Sequence, residues 1–274
     1  MSAGEIHAGG QRLRYAEFGS GSRVVVLAPF LLASHRTQEL WARALAERGF
    51  RVIAVDLVAD SVNGFPLSIE HYDTEALSKQ LLAVLDRLGV ERAVLGGTSL
   101  GANVALEVAA VAPERVAGLL LEGPILEDGV AAYGYVSSAL LLLLSAGRPL
   151  LWCAKKATQF IPQGRWAATD LLLDLLAAPA ERSRAVVHGL AFGRMAPSKQ
   201  ARTSVTAPAL ILVLKADPFH PASDARRLCS ELGAGQLLHV GTILTLRLRP
   251  KRVTPAIISF LNEVFGQVND ARLP

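Results

Sequence analysis

Apolar positions fall in two rhythms along the chain. Nearly unbroken apolar runs occupy residues 24–27, 52–57, 93–96, 116–122 and 209–214, and runs of that length predict strands buried on both faces. Between and after them, residues 37–48, 73–88, 102–111, 221–232 and 253–265 carry helical spacing, with Leu77, Leu81, Leu82, Leu85 and Leu88 lining one side of the second. A hairpin is expected over residues 5–18, around Ala8-Gly9-Gly10, and a further strand over 236–240. Strands alternating with helices predict the α/β class, a mostly parallel, doubly wound sheet with right-handed crossovers.

The rhythm stops between about 125 and 205. That stretch is rich in leucine and alanine and too long for a loop, so a helical cap is expected over 125–205, inserted into a core made of 1–124 and 206–274. Within it, Gly129 to Gly147 runs 19 residues without a charge, which touches the length of a membrane span. Three serines, two tyrosines and three glycines dilute it. Packing within the cap is the reading preferred over an integral span, with transient membrane contact left open.

Composition narrows the class. Apolar residues make up 51% and charged residues 19%, which supplies a large core and argues against disorder. Cys153 and Cys229 have neither metal-ligand spacing nor a disulfide framework, and the first ten residues lack the apolar core of a signal peptide. A cytoplasmic setting is expected, with no metal and no cofactor. The net charge is +4, but its one dense group, Arg247, Arg249, Lys251 and Arg252, has no interleaved aromatics. It reads as a solvated basic face, so no nucleic-acid partner is expected.

Candidate chemistry concentrates at Gly97-Thr98-Ser99-Leu100-Gly101. Gly-x-Ser-x-Gly alone is a weak pattern. Here a predicted strand precedes it and a predicted helix follows, the setting of a nucleophile elbow in which a strained turn lifts the serine hydroxyl over the sheet.

The elbow after the third main strand, the order of elements and the late insertion resemble the α/β-hydrolase family, over residues 10–266. The resemblance implies Ser99 as nucleophile and Leu100 N–H as an oxyanion donor. Its acid follows the strand after the cap, where Asp217 stands. The family's histidine, by spacing from Pro250, falls on Ile243, which accepts no proton. The early His-Gly loop is replaced by Ala28-Pro29-Phe30, and because proline has no N–H the second oxyanion donor has to be Phe30 or Leu31, with Phe30 taken first. The glycine-rich turn expected after the next strand reads Asp56-Leu57-Val58-Ala59-Asp60-Ser61.

A serine needs a base, and six histidines are available: His7, His35, His71, His188, His220 and His239. His220 leads, in Asp217-Pro218-Phe219-His220-Pro221, with Asp217 as its acid. Glu122 is the alternative acid and His239 the alternative base. The expected function is a cofactor-independent serine hydrolase for an ester or thioester of an apolar small molecule. The alternative is a non-hydrolytic lyase, cyclase or ligand-binding pseudo-enzyme on the same fold.

Overall fold

The computed structural model of the chain describes residues 1–8, 11–57, 60–61, 71–158, 160, 173 and 180–270. The expected hairpin turn at residues 9–10, Val58 and Ala59, and part of the expected cap lie outside these. A hairpin opens the chain, β1 (Ser2–Ala8) and β2 (Gln11–Phe18). Then come β3 (Val24–Ala28), α1 (Glu39–Ala46), β4 (Arg51–Val55), β5 (Asp60–Ser61) and α2 (Thr74–Arg87). The centre is β6 (Ala93–Thr98), α3 (Leu100–Val111) and β7 (Val116–Glu122).

Among the described residues there follow α4 (Glu127–Ala146), α5 (Arg148–Thr158), α6 (Ala180–Phe192) and α7 (Lys199–Thr203). The alternation then resumes with β8 (Ala209–Val213), α8 (Ala222–Glu231), β9 (Gly235–His239), the short α9 (Thr245–Leu248) and α10 (Thr254–Asp270).

The sheet runs β1-β2-β4-β3-β6-β7-β8-β9, with β5 beside β2. Pairings from β4 to β9 are parallel, and those involving β2 are antiparallel. Strands β3, β6, β7 and β8 are buried along their whole length, which is why their sequences carry no polar alternation. Successive residues face opposite ways. Val26, Leu95, Leu119 and Ile211 join the core under α2 and α3, whereas Val25, Val94, Leu120 and Leu212 join the one under α1 and α10.

Two boundaries matter for the site. β6 continues two residues beyond the predicted strand and α3 starts two residues before the predicted helix, so one residue, Ser99, separates them. The first predicted helix opens as a 3-10 turn, His35–Gln38.

The helical insertion is tied to the core at both ends. Asn103, in the first turn of α3, donates to the carbonyls of Ile125 and Met195 at 2.7 Å each and accepts from Ile125 N–H at 3.1 Å. The buried Asp224 carboxylate accepts from the N–H groups of Leu126, Asp128 and Gly129, the unsatisfied donors at the start of α4. Arg202 joins Glu127 to Glu231, and Arg227 holds Glu127 and Asp128.

Candidate active site at the end of β6

Ser99 has φ 54° and ψ −113°, a left-handed backbone that costs a serine about 1–3 kcal/mol. Two bonds hold it there: its N–H donates to the Glu122 carbonyl at 2.8 Å, and its own carbonyl accepts from Asn103 N–H at 3.0 Å. The flanking glycines have a steric reason. A β-carbon on Gly97 or Gly101 would lie 2.2 or 2.3 Å from the Ala28 carbonyl oxygen, so only bare backbone lets the elbow press against the β3–α1 loop. The Ser99 hydroxyl makes no capping bond to α3.

Two N–H groups lie at the turn's rim. Leu100 opens α3, so its N–H has no intrahelical acceptor. Phe30 follows Pro29 in the loop that the elbow touches, and its N–H has no backbone acceptor among the described residues.

Of the six histidines, His220 alone is buried. Its ring carbons Cγ and Cδ2 lie 3.1 Å from where a Gly123 β-carbon would stand. Gly123 follows Glu122, whose carbonyl binds the Ser99 N–H, so one glycine separates the imidazole from the elbow's anchor. Both ring nitrogens are buried without a hydrogen-bond partner among the described residues. Asp217 Oδ1 is 3.1 Å from Nδ1, close by but without the geometry of a hydrogen bond. The same oxygen accepts the backbone N–H groups of Phe219 and His220 at 2.9 and 3.2 Å, so Asp217 also shapes the loop that carries the imidazole.

The alternative acid and base are placed elsewhere. His239 ends the edge strand β9 and is exposed. Glu122, fully buried, turns its carboxylate under the sheet. Arg247 Nη1 donates to both Glu122 oxygens at 2.7 and 2.5 Å and to the Ile243 carbonyl at 2.6 Å. Its Nη2 donates to Thr98 Oγ1. Thr98 donates in turn to Glu122 Oε2 at 2.5 Å, and Gln38 Nε2 bridges Thr98 Oγ1 and the Ala28 carbonyl at 3.2 and 3.1 Å. No hydrogen bond joins Glu122 to His220 among the described residues.

Arg247 corrects one expectation. Read as part of a solvated basic face, it is 5% exposed and forms the centre of a buried ion pair directly below the elbow. Its neighbours in sequence gave no sign of this. The available signal was its position, one helical turn after Ile243, so that α9 points its side chain back toward the ends of β6 and β7.

A second carboxylate and imidazole pair stands at the same edge of the sheet. His35 Nδ1 lies 2.8 Å from Asp56 Oδ1, which also accepts the His35 N–H at 2.6 Å, while Arg14 Nε donates to Oδ2 at 3.2 Å. His7, His71 and His188 are exposed, and the His188 ring meets Phe192 at a tilt of 56° with ring centres 4.6 Å apart. Cys153 and Cys229 are free thiols, and no metal-binding cluster of His, Cys, Asp or Glu occurs among the described residues.

Comparison with known proteins bears on this geometry. A family model described as alpha/beta hydrolase fold matches residues 23–151. Bifunctional epoxide hydrolase 2 of Sus scrofa is 35% identical over 113 residues, 39% of this chain and 19% of that protein. Epoxide hydrolase A of Mycobacterium tuberculosis is 37% identical over 118 residues, 42% of this chain and 36% of that protein. The chain thus spans about a fifth to a third of the length of these curated relatives. The structure of a thermophilic esterase from Thermogutta terrifontis superposes with a TM-score of 0.74 at 22% identity, covering 96% of this chain and 99% of that one.

Proposed function

Since the chain has the α/β-hydrolase fold, we propose that it is a serine hydrolase that cleaves an ester or thioester of an apolar small molecule. The observation that carries this reading is the backbone of Ser99, held in left-handed conformation between β6 and α3 with its hydroxyl free of the helix. A strained turn of that kind, between a strand and a helix, is the geometry of a nucleophile elbow.

In the proposed reaction Ser99 Oγ attacks the substrate carbonyl carbon while His220 takes the hydroxyl proton. The N–H groups of Leu100 and Phe30 stabilise the oxyanion of the tetrahedral adduct. The bond to the leaving oxygen or sulfur breaks, His220 returns the proton to it, and an acyl-Ser99 ester remains. Water, deprotonated by His220, then releases the acid and restores the serine. Asp217 orients the imidazole. The apolar preference is supported by Leu100, Ile125, Tyr133 and Leu190, which belong to the hydrophobic core that contains the start of α3, with the partly buried Leu31 and Leu32 packed against it. The helical insertion acts as the cap over that wall. The test is release of p-nitrophenol from esters of increasing acyl length by the purified chain, and the reading fails if Ser99→Ala turns over as fast as the parent.

Two observations favour the second reading, a non-hydrolytic or binding role. Arg247 and Glu122 occupy each other under the elbow, and His220 Nδ1 lacks a hydrogen bond to Asp217. A chain of this kind would be stabilised thermally by apolar carboxylic acids yet release no p-nitrophenol.

A further inference from the structure

The outer face of the insertion has no part in the chemistry above, and its composition is unusual. From residue 129 to 169 the chain carries four basic side chains, Arg148, Lys155, Lys156 and Arg165, and no acidic one. α4, which begins two residues earlier with Glu127 and Asp128, is long and apolar enough to cross a membrane. Tyr133, Ser137 and Leu144 turn inward and are buried. The opposite stripe is exposed: Tyr135 at 82% and Leu142 at 68%, seven residues apart on one helix face. In α5, Trp152 is 62% exposed and Lys156, one turn on, is exposed as well.

We infer that this face docks the protein on an anionic lipid surface, lying on the bilayer rather than crossing it. Crossing is opposed by the anchoring of α4. Its first N–H groups bind Asp224, its two acidic residues are paired with Arg202 and Arg227, and its inner face packs against α6. Those ion pairs also remove the only carboxylates of α4 that would repel a negative surface. What remains is an apolar helical stripe, an exposed tryptophan and the exposed Lys156, the combination that settles at the headgroup boundary. A second copy of the chain fits less well, because a two-fold contact across this face would set Lys156 against its own like.

The experiment is co-sedimentation of the full chain with phosphatidylcholine vesicles, with and without about one third phosphatidylglycerol. The expected result is binding to the anionic vesicles that weakens as salt is raised, with little binding to neutral ones. Tyr135→Glu/Leu142→Glu should lower the partition roughly tenfold or more, and Lys156→Glu should lower it several-fold, with thermal midpoints unchanged because all three side chains are exposed. Absence of binding to anionic vesicles at low salt overturns the inference, as does equal binding by the stripe variant. Self-association that the stripe variant abolishes, without vesicle binding, overturns it in favour of a second copy. None of these outcomes depends on whether Ser99 is active.

Discussion

At the scale of single residues, the elbow is decided by what is missing around Ser99. Gly97 and Gly101 have no β-carbon because Ala28 O occupies that space. Gly101→Ala is therefore expected to destabilise the fold by about 2–4 kcal/mol, since backbone rather than a flexible side chain must give way. Urea denaturation measures this, and a change below about 0.5 kcal/mol would contradict the contact. Arg247→Met leaves the buried Glu122 carboxyl without its ion-pair partner, at an expected cost of about 3–5 kcal/mol. The two imidazoles are also separable. His220→Asn should slow ester turnover by about a hundredfold or more, while His35→Asn, which removes a ring already bound to Asp56, should leave it within a few-fold. The reverse pattern would move the base to the His35–Asp56 pair.

At the scale of elements, the insertion's hold on the core depends on charge. Burial pushes the Glu127 carboxyl up, but hydrogen bonds from Arg202 and Arg227 outweigh it and leave the group below its ordinary range. Asp128 is lowered as well, by hydrogen bonds from Ser223 and Arg227. Both carboxyls thus release their proton more readily in the folded chain than in the unfolded one. Their contribution is complete above the unfolded values near pH 4 and is lost as the pH falls through the folded ones. Limited proteolysis across α4 should accelerate on acidification below about pH 4, and Glu127→Gln/Asp128→Asn should flatten that dependence. Parallel pH profiles for parent and variant would refute the assignment.

At the scale of the whole molecule, the sheet was legible because its strands are buried on both faces and so appear as plain apolar runs. The elbow was legible because two glycines and a serine at fixed spacing fall between an apolar strand run and a helical pattern. Residue by residue the limits are equally physical. Ser99 acting as the entire turn is a matter of φ and ψ, which no residue type announces. The Arg247–Glu122 pair joins positions 125 apart, and an arginine four residues before another surface cation in a basic run carries no mark of burial. His220 was singled out for its loop, yet its burial against Gly123 depends on the left-handed glycine that ends β7.

The account rests on Ser99 being an activated nucleophile with His220 as its base. Labelling with a fluorophosphonate, located by mass spectrometry, tests this most directly. The predicted result is an adduct on the Ser99 peptide, absent in Ser99→Ala and formed about a hundredfold more slowly in His220→Asn. A folded parent protein that takes no label, or one that labels equally fast without His220, would contradict it.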